Sequence, residues 1–292
     1  MTTAPTVTAA TTPAPAARAR RKRSRSTAVR MVIAVAATFF FVAPIYWMVA
    51  TAFKTGNQAF AAHPVLIFTP TLENFRGVLA GSAFGYAVIN SIQVSVLSSL
   101  FAVMLGSGIA YPLARFPFRG DKHVRTWIIS LRIVPPVVTI IPLFLMMRAV
   151  GLTGTLTSII ILHTFMNLPL AVWLLQGFYA DVPKEIEEAA HIDGLGPLGG
   201  FLRIVLPLAM PGVASTLLLS FVFSWNEFLF ANILSGANTR TATVALTEFT
   251  TPVGTDWVRI MAAGVVVAVP VWLAALAAQK YLVRGLSFGA VK

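Results

Sequence analysis

The stretch Leu156-Thr157-Ser158-Ile159-Ile160-Ile161-Leu162-His163-Thr164-Phe165-Met166-Asn167-Leu168-Pro169-Leu170-Ala171-Val172-Trp173-Leu174-Leu175-Gln176-Gly177-Phe178 contains no Asp, Glu, Lys or Arg. As a helix it extends about 35 Å, enough to cross a hydrocarbon core of about 30 Å. Five more apolar runs lie around it, at about 28–53, 86–111, 124–148, 208–234 and 258–283. Soluble domains do not carry several separate runs of this length. The runs are continuous rather than alternating, so they predict helices and not barrel strands. The expected fold is all-α and polytopic, with six transmembrane helices.

Composition agrees. The mean hydropathy is +0.80, and 11% of residues are charged, against about a quarter in soluble chains. The net charge of +12 does not point to nucleic acid, because seven of the 22 basic residues cluster just before the first run (Arg18, Arg20, Arg21, Lys22, Arg23, Arg25, Arg30). Such a cluster marks the cytoplasmic face, near anionic headgroups. With the N-terminus inside, sixteen basic residues fall in cytoplasmic segments and four outside (Lys54, Arg76, Arg240, Arg259). Both ends are therefore expected in the cytoplasm. Residues 1–27 read as a disordered basic tail, 28–284 as the membrane domain and 285–292 as a short cytoplasmic tail.

Several chemistries are excluded. There is no cysteine, hence no disulfide and no thiolate metal site. The four histidines (His63, His123, His163, His191) show no ligand spacing. The sequence lacks the phosphate-binding G-x-x-x-x-G-K-[ST] loop, H-E-x-x-H and G-x-S-x-G, so neither an ATP site nor a common hydrolase site is expected in this chain.

Between the fourth and fifth runs, residues 179–207 are neither apolar enough to span nor basic enough to be a mere anchor. They hold five of the ten acids: Asp181, Glu185, Glu187, Glu188 and Asp193. Asp181 can cap a helix, with Pro183 in its first turn and acids near its positive end. Ile186, Ala189, Ala190 and Asp193 then share a face, with Glu187 on the solvent side. Gly194 follows where a left-handed residue commonly ends a helix. The residues alone leave two readings open, a docking helix and a linker.

Glu188-Ala189-Ala190, three residues, Gly194, nine residues, Ile204, one residue and Leu206-Pro207 resembles the EAA loop of binding-protein-dependent ABC importer permeases. Asn90-Ser91, Tyr111-Pro112-Leu113-Ala114-Arg115-Phe116, Trp225-Asn226-Glu227 and the C-terminal 285–292 are similar to the maltose-type, carbohydrate-uptake branch, particularly its second permease subunit. The resemblance covers about 30–292. It implies a cytoplasmic coupling helix between the fourth and fifth spans, with Glu188, Ala189, Ala190 and Gly194 at docking positions and Ile204, Leu206 and Pro207 shaping entry to the fifth span. It further implies a bacterial inner-membrane location. The implied partners are a homologous permease, two ATPase subunits that bind ATP and Mg, an extracytoplasmic sugar-binding protein and the sugar itself. The rival class is a transporter or channel that needs no ATPase.

Inside the spans, charges and polar groups mark candidate pathway positions. Trp225, Asn226 and Glu227 are the candidates, with helix–helix hydrogen bonding as the alternative: Trp225 to stack on a sugar face or to pack at an interface, Asn226 to donate and accept, Glu227 as the one acid deep in a span, with Arg148 as its candidate partner. Arg132 departs from the family pattern, where an uncharged residue is expected. It is assigned a structural role, either snorkelling or bonding a carbonyl freed by Pro135 and Pro136. Pro135, Pro136, Pro142 and Pro211 are read as shaping helices.

Overall fold

The computed structural model describes residues 16–80, 83–251 and 254–288. The chain divides into two units, Met1–Ala50 and Thr51–Lys292.

The first unit is helix α1, which runs Ala16–Ala52 and so ends just inside the second. Its segment Val29–Ala52 is 24 residues long and strongly apolar, about 36 Å of helix. Phe39, Phe40 and Phe41 are all exposed, as a helix that is apolar all round requires of one solvated by lipid. The disordered tail expected over 1–27 is corrected in part: backbone from Ala16 onward is helical, in keeping with the strong helix propensity of its Ala, Arg and Lys residues. The rest of that tail lies outside the described residues.

The second unit is built on α2 (Ala83–Arg115) and α5 (Leu156–Ala180), the most extensively packed pair. The face that α2 buries is rich in small residues, Ser91, Ser95, Ser98, Ser99, Ala102, Gly106 and Ser107, beside larger ones such as Val94, Val103 and Tyr111. A Cβ on Gly106 would stand 3.0 Å from the Cβ of Ala171; side chains this small let two backbones approach, which is how helices associate in lipid. The N-terminus of α5 is capped by Thr155, whose Oγ1 accepts from the Ser158 N–H at 3.3 Å.

The third run is not one helix. It forms α3 (Asp121–Ser130) and α4 (Pro136–Ala149), separated by a turn. Pro135 and Pro136 lack N–H groups, and each disfavours helical geometry in the residue before it. Alone, the 14 residues of α4 reach about 21 Å, short of a full crossing. Helix α6 (Lys184–Ile192) follows α5. The chain then passes through Pro197–Gly200, a π-helical turn at Phe201–Val205 and Leu206–Leu208, breaks at Ala209, and enters α7 (Met210–Asn226). The axis bends by 78° between Pro197–Leu208 and α7. Pro207 and Pro211 flank the break and withhold two helix donors there. The fifth run breaks again at Glu227, whose backbone is extended, before α8 (Leu229–Leu234). A two-stranded antiparallel hairpin, Thr250–Thr251 with Gly254–Thr255, precedes α9 (Trp257–Phe288). The expected C-terminal tail at 285–292 is thus helical through Phe288, and the remainder lies outside the described residues.

Among the described residues, four helices are long and apolar enough to cross a membrane alone, and the bent pair ending in α7 makes a fifth. The difference from the expected six lies in the third run, whose pieces on either side of Pro135 and Pro136 are each shorter than a full crossing.

Candidate functional site

Two constellations gather the residues singled out in the sequence. The first is α6 and its support. Lys184 opens the helix and Pro183 stands at the N-cap, whereas Asp181 closes α5 instead of capping α6. The reason is that α5 continues to Ala180 and leaves only three residues of connector, Asp181, Val182 and Pro183. The C-terminal stop is the expected one. Gly194 has φ +91°, its N–H donates to the His191 carbonyl at 3.1 Å, and the Leu195 N–H donates to the Ala190 carbonyl at 3.0 Å. These two bonds make a Schellman closure.

The face assignments need correction. Glu187, read as solvent-facing, is buried. Its Oε2 lies 2.8 Å from Arg115 Nε, close enough for an ion pair though not aligned as a hydrogen bond. Its Oε1 accepts from the Tyr111 hydroxyl. Arg115 also donates to the Val182 carbonyl at 2.8 Å, so one guanidinium at the end of α2 holds both the connector and α6. Ala190 is buried too, while Ile186, Glu188, Ala189, Ile192 and Asp193 are exposed. The face that Ile186, Ala189, Ala190 and Asp193 were to share is therefore split, with Ala190 turned inward. Gly200 lets the next turn come close: a Cβ there would stand 3.2 Å from His191 Nε2. Beneath the loop, Tyr179 meets Tyr111 and Phe201 edge-to-face, Tyr111 and Phe201 lie tilted at 4.6 Å, and Tyr179 donates to Ser107 Oγ at 2.9 Å. Ile204 and Leu206 are half-buried and Pro207 exposed just before the 78° bend.

The second constellation lies where α7 gives way to α8. Trp225 is only 1% exposed, and its Nε1 donates to the Val267 carbonyl of α9 at 3.1 Å. Its ring is thus packed within the chain and has no free face for stacking. Asn226 is exposed at the last turn of α7, its Nδ2 donating to the Val222 carbonyl at 2.8 Å. Glu227 does not pair with Arg148. Its Oε2 meets His163 Nε2 at 3.0 Å, and its carboxylate accepts from the N–H groups of Phe230 and Ala231 at 3.0 and 3.1 Å. The carboxylate therefore caps α8 and neutralises donors that a break in an apolar run leaves unsatisfied. On its other side, His163 Nδ1 is 2.8 Å from Ser224 Oγ, which is 2.8 Å from Ser98 Oγ.

His163 is the residue that sequence reasoning missed. A signal was available, since His163 lies seven residues in from Leu156 and Glu227 seven residues in from Leu234, placing both at one depth. Arg132 falls in the turn between α3 and α4, and its guanidinium lies over the Phe223 ring at 5.0 Å. Among the described residues it bonds no freed carbonyl, and its contact within the chain is this cation–π one. Among the described residues no group of three or more metal-ligating side chains forms.

Residues 98–288 match the family described as "Binding-protein-dependent transport system inner membrane component". The trehalose transport system permease protein SugB of Mycobacterium tuberculosis is 32% identical over 256 residues, covering 85% of this chain and 92% of that protein. The trehalose/maltose transport system permease protein MalG of Thermococcus litoralis is 32% identical over 253 residues, covering 85% and 91%. Among solved structures, a chain of a bacterial ABC transporter that imports the acidic polysaccharide alginate superposes with TM-score 0.78 at 21% identity, over 89% of this chain and 98% of that one. That likeness is one of fold. The family match spans α2 to α9 and includes both constellations, and the chain belongs to the binding-protein-dependent transport system inner membrane components.

Proposed function

We propose that this chain is one membrane-spanning permease subunit of an ATP-driven sugar importer, forming half of its translocation pathway. The observation that carries the coupling is the state of α6: anchored from behind by Arg115, Tyr111 and a Schellman closure, yet exposed along Ile186, Glu188, Ala189 and Ile192. The relatives named for trehalose, maltose and melibiose transport support sugar as the cargo. A transporter working without an ATPase is not favoured, because the relatives are permeases of ABC systems.

In this reading six spans cross the inner membrane with both ends in the cytoplasm, the third and fifth being the proline- and Glu227-broken ones. The chain pairs with a homologous permease, two ATPase copies and an extracytoplasmic sugar-binding protein, within the lipid bilayer. It performs no chemistry and holds no cofactor; ATP and Mg belong to the ATPase. ATP closes the ATPase pair, which moves the docked α6 surfaces. The spans switch from inward- to outward-facing, and the binding protein releases sugar into the cavity. ATP binding favours one conformation and hydrolysis resets it. Glu188 and Ala189 make the docking contact, Gly194 and Ala190 hold the helix in place, and Ile204, Leu206 and Pro207 carry the motion into α7. Asn226 is the sugar-facing residue of the second constellation, since Glu227 is committed to α8 and Trp225 is covered.

Ala189→Trp tests the coupling. No neighbour within the chain covers Ala189, so the variant should fold and insert normally while losing ATPase co-purification and ATP-driven uptake of labelled trehalose, maltose or melibiose in vesicles. An Ala189→Trp complex that keeps its ATPase and transports at the wild-type rate would reduce α6 to a linker.

A further inference from the structure

We infer that His163 is a positioning residue of the translocation pathway, acting through Glu227 to hold the α7–α8 break and with it the orientation of Asn226. The inference rests on the sugar-importer reading above. An ionised carboxylate accepts hydrogen bonds and donates none, so with a neutral imidazole the Nε2–H donates to Glu227. Nδ1 is then the acceptor, and the Ser224 hydroxyl donates to it. The Ser224 oxygen remains free to accept from Ser98. The bonds run in one direction, Ser98 to Ser224 to His163 to Glu227, with heavy-atom distances of 2.8, 2.8 and 3.0 Å.

The chain joins α2, α5 and α7 and ends on the two N–H groups that open α8. Ser98, His163 and Ser224 are all at least nine-tenths buried, where an unmade hydrogen bond has no water to replace it. The Glu227 carbonyl is held from the outer loop by Thr243 Oγ1 at 3.0 Å. Both ends of this residue are thus fixed, and with them the place of the last turn of α7, to which the exposed Asn226 is tied by its own bond to the Val222 carbonyl. Histidine suits the position because two ring nitrogens let one rigid side chain bridge a hydroxyl and a carboxylate on different elements. Without that bridge, Glu227 would keep its sequence position but lose the tie that aligns the break with α5 and α2.

The test uses the whole complex, with its ATPase and binding protein, in proteoliposomes, reading sugar moved per ATP hydrolysed. A mutation that only lowers the amount of folded complex reduces both quantities together and leaves the ratio alone. If wild type moves none of labelled trehalose, maltose or melibiose, the sugar-importer reading has failed, independently of the bridge. With transport established, His163→Leu should lower the ratio about tenfold, as expected for a buried hydrogen bond to a charged group. His163→Gln should restore most of it, because the amide can donate to Glu227 and accept from Ser224. Should His163→Leu fail to assemble, Ser224→Ala removes the orienting hydroxyl at less cost and should lower the ratio a few-fold. A wild-type ratio in His163→Leu or in Ser224→Ala, or a His163→Gln as poor as His163→Leu, overturns the inference.

Discussion

Glu187→Ala is the most telling single change at the loop, because the buried carboxylate holds α6 to α2. The variant leaves the Arg115 guanidinium, whose side chain is 4% exposed, facing a small cavity where its counterion stood. Removing one partner of a buried pair costs about 3–5 kcal/mol. Arg115 keeps its bond to the Val182 carbonyl, and the Tyr111 hydroxyl has the Pro197 carbonyl at 3.4 Å as an alternative, so the lower bound applies. About 3 kcal/mol acting on local opening raises the open population roughly a hundredfold. Amide hydrogen exchange on the purified chain in nanodiscs reads this directly: protection across Lys184–Ile192 and at Gly194 and Leu195 should fall by about that factor, while α5 is unchanged. Arg115→Met in the same chain should recover much of it, since an apolar replacement of both partners is often tolerated. Exchange within twofold of wild type, or strictly additive effects in the double variant, would refute the anchoring role.

Gly194→Ala should weaken the Schellman closure by about 1–2 kcal/mol. A Cβ there meets nothing within 4 Å, so the loss is purely one of backbone geometry and Gly194→Asn should recover part of it; exchange at Leu195 measures both. Gly212→Ala drives a methyl into the Phe178 ring, and overpacking of this kind costs about 1–3 kcal/mol. The thermal midpoint of the detergent-solubilised chain should fall and be partly restored by Phe178→Ala. The cysteine-free sequence allows single-cysteine labelling with an impermeant reagent in intact cells. Asn57→Cys, Gly154→Cys and Asn238→Cys should react while Gly120→Cys and Gly196→Cys do not, and reaction at position 196 would place α6 on the wrong side for an ATPase.

Much of this architecture is legible in the residues because lipid imposes a length rule on apolar runs, and because Gly194 and the prolines act locally. Gly194 needs only its own φ to be recognised as a stop. Glu187 was opaque for the opposite reason. Its burial depends on Arg115 and Tyr111, more than seventy positions earlier, and one acid beside Glu185 and Glu188 on a polar helix reads as solvated. Breaks at 131–135 and 227–228 were hidden because an interrupted apolar run has the same composition as a continuous one. Trp225 looked like a stacking platform until α9 was seen to supply the Val267 carbonyl. His163 looked like one histidine among scattered others, since depth in a bilayer is a coordinate that linear spacing does not display.

The 78° bend at Ala209 makes Pro197–Leu208 and α7 the two arms of a crank. A displacement along the axis of Pro197–Leu208 reaches α7 almost wholly as a sideways shift of its near end and scarcely as thrust along its length. With Trp225 pinned to α9 near the far end of α7, that end serves as the pivot. In the proposed transport cycle, small travel at the loop would be returned as a change in the tilt of α7.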